Sequence, residues 1–146
     1  MLEEISNILV CIDGSEISFK AARRALGLAK NYTSKFTAIY VSAIADSISR
    51  APQYARDELH KYLTEQMNNW LKDIVLQSKQ YGINFKIEVK LTNTSIVEEI
   101  LNSAEAENTD LIVIGRTGKS KLERILIGSV AQGVIANSKC SVLLVK

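Results

Sequence analysis

Two short runs of apolar residues, uninterrupted by polar side chains, constrain most strongly how this chain can fold. Residues 8–12 read Ile-Leu-Val-Cys-Ile and end at Asp13-Gly14-Ser15, and residues 111–114 read Leu-Ile-Val-Ile and end at Gly115. A strand that is apolar on both faces is typical of the centre of a parallel sheet covered by helices. The sequence therefore predicts an α/β fold with these two runs as central strands.

Strand and helix patterns alternate along the rest of the chain. Further strands are predicted at 36–41, 85–91 and 142–145, which gives five, and the strict polar alternation of 85–91 indicates a position near an edge. Four helices are predicted: residues 16–30, residues 52 to about 80, one opening at Ser95 and one opening at Ser129. Ser95 with Glu98, and Ser129 with Gln132, have capping-box spacing. The polar, aperiodic residues 42–51 are expected to act as a flexible flap.

The connection between the two central strands predicts where a ligand binds. If these strands are neighbours, the sheet is doubly wound with strand order 3-2-1-4-5, and ligands of such sheets bind at the switch point beyond the carboxyl ends of the strands. The turn at Asp13 and the loop after Ile114 then face one crevice, which the loop after Val41 adjoins. We expect an adenine between Ile12 or Asp13 and Val41.

The loop after residue 114 has the composition of a phosphate-binding loop. Gly115, Gly118 and Gly128 are separated by two and nine residues, and Ser129 follows directly. Glycine lets backbone N–H groups approach a ligand with no Cβ in the way. Four cations accompany the glycines, offset only by Glu123, and these cations are Arg116, Lys119, Lys121 and Arg124. The segment is interpreted as a polyphosphate cradle.

Each of these features also has a structural interpretation. Asp13 is expected to brace its own turn through a hydrogen bond to Ser15, and Ser129 fits the N-cap of the last helix. The cations fit a solvated face. Gly118-Lys119-Ser120 imitates the end of a Walker A loop, but the glycine required five positions earlier is Val113, inside a strand, so that interpretation fails.

Length and charge limit the class of protein. The 146 residues fit one domain, residues 1–146, and 18 basic against 16 acidic residues leave a net charge of only +2, which disfavours nucleic acid as a partner. Neither a signal peptide nor a membrane span is recognisable, so we expect a soluble cytoplasmic protein. Cys11 and Cys140 fit no disulfide framework or zinc site, and are expected to be reduced and buried.

Three segments together resemble the universal stress protein family: residues 8–15, the motif Gly115-x2-Gly118-x9-Gly128-Ser129, and residues 140–145. The resemblance implies a doubly wound five-stranded domain, ATP at the switch point and dimerisation through the last strand. It implies that the glycines and Ser129 hold phosphates and ribose, that Asp13 faces the adenine, and that Val41 and Val130 make backbone contacts. Our predicted nucleotide-binding residues are Cys11, Ile12, Asp13, Ser15, Val41, Gly115, Arg116, Gly118, Lys119, Gly128, Ser129 and Val130.

The sequence departs from the family pattern at two places. Thr117 stands where many members have a histidine, and Thr94-Ser95-Ile96 replaces a glycine-acid-proline turn. The first change bears on how the glycine loop is ordered, and the second on the shape of the loop before the third helix.

Three functions are compatible with the sequence. The first is a regulatory protein that binds ATP, AMP or ADP, with Mg²⁺ or Mn²⁺ held through the phosphates, and changes its conformation or oligomeric state. The alternatives are a slow ATPase or phosphotransferase using Asp13 and Lys119, and a dimeric interaction module without nucleotide. No nucleophile paired with a base is recognisable, so no catalytic residue is predicted. A homodimer is expected through antiparallel pairing of Val142 to Val145.

Overall fold

The fold is an α/β sandwich built on one five-stranded parallel sheet. The computed structural model describes residues 2–117 and 127–146. The elements are β1 (Asn7–Cys11), α1 (Glu16–Tyr32), β2 (Lys35–Ala43), α2 (Asp46–Ser49), α3 (Gln53–Trp70), α4 (Lys72–Gln80), β3 (Phe85–Thr92), α5 (Ile96–Ala106), β4 (Leu111–Gly115), α6 (Ser129–Asn137) and β5 (Ser141–Val145). The sheet order is β3-β2-β1-β4-β5, which confirms the predicted fold class and strand order.

The two apolar runs are the central strands, as predicted. β1 pairs in parallel with β2 on one side and with β4 on the other, so Leu9 lies opposite both Thr37 and Ile112. All five residues of β4 are buried. Because β1 and β4 are adjacent while the chain leaves them in opposite directions across the sheet, their carboxyl ends form the switch point.

Alternate residues of the strands bury their side chains in two separate cores. Ile8 and Val10 face the core that α1, α3 and α4 cover, where Phe36 and Met67 are fully buried. Leu9 and Cys11 face the opposite core, which α5 and α6 cover. Helices therefore lie on both faces of the sheet, and the second of these layers forms part of the site described below.

The described helices differ from the predicted ones in two places. The helix expected over residues 52–80 is divided, because the backbone leaves helical geometry at Leu71 (φ −104°, ψ 19°) and α4 begins at Lys72. Residues 42–51 were expected to act as a flexible flap; in the structure β2 continues to Ala43 and α2 occupies Asp46–Ser49. The prediction of four helices was therefore wrong, since six are present among the described residues.

Two further expectations concern cysteines and membranes. Cys11 is buried and Cys140 is half-buried, and neither forms a disulfide. Among residues 2–117 and 127–146, no helix is both long enough and apolar enough to cross a bilayer.

Candidate functional site

A cavity of about 510 Å³ opens at the carboxyl ends of β1, β2 and β4, at the switch point of the sheet. Nine of the predicted site residues lie on its wall, and these are Cys11, Ile12, Asp13, Val41, Gly115, Arg116, Gly128, Ser129 and Val130. Ser15 does not line the cavity, and Gly118 and Lys119 lie outside the described residues. The structure thus brings two loops far apart in sequence to one place.

The turn after β1 is braced from within. The Ser15 N–H donates to Asp13 Oδ1 at 2.9 Å, and the Ser15 hydroxyl donates to the same oxygen. Between them, Gly14 has φ 85°, a left-handed conformation that favours glycine. Ser15 is also the N-cap of α1, because its Oγ accepts from the Ser18 N–H. The bracing role expected for Asp13 is confirmed, and the same residue lines the cavity.

The first turn of α6 faces the cavity with its backbone donors unused. The N-cap is Gly128 and no side chain caps the helix, so the prediction that Ser129 is the N-cap was wrong. Ser129 is the first helical residue, and the Gln132 amide donates to the Ile127 carbonyl at 2.6 Å instead of closing a capping box. The N–H groups of Ser129, Val130 and Ala131 form no hydrogen bond within the described part of the chain.

Arg116 also lines the cavity. Its backbone is fully used, because its N–H donates to the Val145 carbonyl at 2.7 Å and its carbonyl accepts from the Gly128 N–H at 2.7 Å. Its Nε is buried and has no hydrogen-bond partner among the residues the structure describes. A buried guanidinium donor without a partner is costly unless a ligand supplies an acceptor.

Gly115 serves a packing role that sequence reasoning did not foresee. Its φ lies outside the left-handed region, and a Cβ at this position would lie 3.0 Å from Cγ2 of Ile17. The absent side chain therefore lets α1 pack closely against the end of β4. Close approach of a ligand at Gly115 stays a prediction, and the residue lines the cavity.

Part of the cavity wall is apolar. Ile39 and Ile114 contribute from the sheet, and Ile96 and Ile100 contribute from α5. Sequence reasoning did not predict these four residues, nor Ser18, Thr117 and Ala131, as part of the site. The available signals were the alternation of Ile39 with Val41 on one strand face, and the helical spacing of Ile96 and Ile100 behind the Ser95 cap. Such a wall suits a flat apolar group rather than a charged one.

Cys11 lies on this apolar wall as a neutral thiol. Burial, with a smaller contribution from the Asp13 carboxylate, raises the pKa of Cys11 to about 12. The thiolate, which is the nucleophilic form, is therefore disfavoured at neutral pH. Within residues 2–117 and 127–146, no group of three His, Cys, Asp or Glu residues is arranged to hold a metal ion. The described wall thus offers hydrogen-bond donors and apolar surface.

Comparison with known proteins decides the family. The sequence pattern of the Universal stress protein family matches residues 4–146. The chain belongs to the universal stress protein family. A universal stress protein of Methanocaldococcus jannaschii is 36% identical over 139 residues, which are 95% of this chain and 81% of the relative. The family and fold implied by the sequence motifs are thereby confirmed.

Solved structures of this universal stress protein fold include nucleotide complexes. The hypothetical protein MJ0577 is 29% identical with a TM-score of 0.79, covering 99% of this chain and 97% of its own. A universal stress protein of Archaeoglobus fulgidus in complex with dAMP (19% identity, TM-score 0.68, coverage 97% and 98%) shares the fold. So does an Arabidopsis thaliana family member with AMP bound (14% identity, TM-score 0.62, coverage 97% and 91%).

Proposed function

We propose that this universal stress protein binds an adenine nucleotide, ATP, ADP or AMP, in the cavity at the switch point. Binding is proposed to act by changing the conformation or the oligomeric state of the protein. The observation that carries the proposal is the convergence of two sets of unused donors on one cavity. These are the first-turn N–H groups of α6 and the guanidinium of Arg116, a wall residue whose Nε has no hydrogen-bond partner among the described residues.

The donors define where the phosphates would lie. The N-terminus of a helix carries a partial positive charge, and its free N–H groups point along the axis toward an anion. Ser129, Val130 and Ala131 provide such groups, and Arg116 adds a full positive charge beside them. Gly118 and Lys119 remain predicted phosphate contacts.

The apolar part of the cavity defines where the base would lie. Ile39 and Ile114 on one side and Ile96 and Ile100 on the other suit the faces of a planar ring. Asp13 and Val41 also line the cavity and are proposed to supply polar groups for the rim of an adenine. The nucleotides in the Archaeoglobus and Arabidopsis relatives, dAMP and AMP, support an adenine nucleotide for this chain.

Binding alone supplies enough free energy for regulation. A ligand present at 100 times its dissociation constant stabilises the state that binds it by about 2.7 kcal/mol. That amount redistributes two conformations whose free energies differ by a few kcal/mol. Hydrolysis is therefore not required for the proposed role.

The oligomeric part of the proposal concerns the edge strand β5. This strand is last in the sheet order, and Val142, Leu143 and Leu144 on it are only partly buried. An apolar edge strand with free backbone groups favours pairing with a second chain. We propose an antiparallel pairing of Val142 to Val145 across a two-fold axis, which makes a homodimer.

Calorimetric titration tests nucleotide binding directly. AMP, ADP and ATP are titrated separately into the protein, with and without Mg²⁺, and CMP and inorganic phosphate serve as controls for the base and the phosphate. The proposal expects saturable binding of at least one adenine nucleotide and weaker binding of CMP. Absence of heat for all three adenine nucleotides at millimolar concentration, together with an unchanged melting temperature, would contradict the proposal.

A further inference from the structure

Helices α5 and α6, which form two walls of the cavity, touch each other at Gly133 and Val97. A Cβ built on Gly133 would lie 2.8 Å from Cγ2 of Val97 and 3.2 Å from its Cγ1. Carbon atoms in proteins pack at about 3.5 to 4.0 Å, so a side chain at position 133 requires Val97 or one of the two helices to shift. The close approach of the two helices at Val97 therefore favours glycine at position 133.

Helix propensity gives no reason for this glycine. Gly133 lies inside α6, where glycine is the poorest helix former after proline. Gly27 inside α1 provides a contrast, because a Cβ there would meet nothing within 4 Å. The space around Gly133 is thus restricted by a specific neighbour on α5, whereas the space around Gly27 is open.

The contact lies next to the residues that line the cavity. Val130 precedes Gly133 by about one turn of α6, and Ile96 and Ile100 flank Val97 on α5. A shift that separates the helices at Gly133 therefore moves these wall residues apart. Close-packed elements transmit such a shift because side chains interlock with little free space.

We propose that Gly133 is a positioning residue that sets the width of the cavity by fixing the separation of α5 and α6 against Val97. This inference deepens the proposed nucleotide site and rests on it for its functional consequence. The structural consequence, a wider cavity when residue 133 carries a side chain, does not depend on any ligand.

The ligand-free test uses the thiol of Cys11, which is buried on the cavity wall. In a Cys140→Ser background, we expect Gly133→Ala to raise the rate of Cys11 alkylation by a small neutral maleimide about tenfold. Adding Val97→Ala removes the clashing methyl groups and is expected to return the rate close to that of the background protein. Gly27→Ala, the matched glycine-to-alanine control, is expected to leave the rate unchanged.

The same variants are titrated with AMP. We expect Gly133→Ala to weaken AMP binding about tenfold and the double variant with Val97→Ala to recover most of the loss. Urea unfolding gives the equilibrium constant for unfolding of each variant. The fold increase in the alkylation rate of Cys11 is expected to exceed the fold increase in that equilibrium constant. This comparison separates local widening of the cavity from a general loss of stability.

The outcomes distinguish the two proposals. An unchanged alkylation rate in Gly133→Ala, or an increased rate that Val97→Ala does not reverse, overturns the role of Gly133. If the background protein itself binds no AMP, ADP or ATP, the proposed function is wrong, and the alkylation rates alone then decide whether Gly133 sets the cavity width.

Discussion

The Gly128 N–H donates to the Arg116 carbonyl at 2.7 Å, which joins the end of β4 to the start of α6 at the mouth of the cavity. Arg116 also donates its own N–H to the Val145 carbonyl, so its backbone is committed to the framework, and the residue lines the cavity. These backbone hydrogen bonds thus fix the position of Arg116, while its side-chain Nε has no hydrogen-bond partner among the described residues. This arrangement is expected where a protein favours ligand binding over maximal stability.

The first prediction concerns that donor. Arg116→Met should weaken adenine nucleotide binding by about 10- to 100-fold, because hydrogen bonds to charged groups contribute about 1.5–3 kcal/mol. The ligand-free variant should be no less stable than the wild type, since a buried donor without a described partner is removed. Titration calorimetry and urea unfolding measure the two effects. Arg23→Met, on the exposed face of α1, is the control, and equal affinities of all three proteins would contradict the role of Arg116.

The second prediction concerns Gly115. Gly115→Ala should lower the free energy of unfolding by about 1 kcal/mol, because the new Cβ would crowd Ile17 at 3.0 Å. In an Ile17→Ala background the same substitution should cost much less, which a double-mutant cycle in urea will show. Gly27→Ala should instead stabilise by about 0.5–1 kcal/mol, as alanine does at an open helix position. A coupling of zero between Gly115 and Ile17 would show that the packing argument is incorrect.

The third prediction concerns pH and Cys11. The folded pKa of Cys11 is about 12, against an ordinary value of 9.0, so the unfolded chain loses this proton first as pH rises. The neutral thiol therefore makes its full contribution to the free energy of unfolding below pH 9. Between pH 9 and about 12 that contribution decreases by up to about 1.4 kcal/mol per pH unit. The measurement is the difference in unfolding free energy between wild type and Cys11→Ala, which cancels the titration of lysines and tyrosines. A difference that stays constant from pH 8 to pH 11 would refute this prediction.

The fourth prediction concerns the edge of β5. Because the Val145 carbonyl is bonded to β4, the alternation of backbone groups points the Leu144 N–H away from β4, toward the free edge. Leu144→Pro should therefore disrupt the proposed dimer while preserving the β4 ladder, whereas Leu144→Val should leave the dimer intact. Sedimentation at tens of micromolar is expected to show a dimer for wild type and Leu144→Val and a monomer for Leu144→Pro. A monomeric wild type would refute the dimer.

The strand order was predictable because it depends on residue patterns that are local and strong. The apolar runs around Leu9 and Ile112 can only be buried on both faces, and a parallel sheet follows from that burial. The division of the long helix was not predictable, because Met67, Leu71 and Ile74 keep helical spacing across the break at Leu71. A one-residue interruption that keeps the apolar residues at helical spacing cannot be detected from the spacing of apolar residues in the sequence.

The residues around the cavity were predictable from the sequence where they follow strand ends, and unpredictable where they come from the helices packed on the sheet. Asp13, Val41 and Gly115 lie at carboxyl ends of strands, so topology alone brings them together. Ile96 and Ile100 reach the cavity through the packing of α5 on the sheet, which spacing does not specify. Ser129 was misassigned because the same Ser-x-x-Gln spacing also fits a helix whose N-cap is the preceding glycine.

A crystal structure of the protein soaked with AMP tests the central claim most directly. We expect the base between the Ile39 and Ile114 side of the cavity and the α5 side, with the phosphate against the first turn of α6 and Arg116. Nucleotide density elsewhere on the protein, or an empty cavity at a saturating AMP concentration, would contradict it.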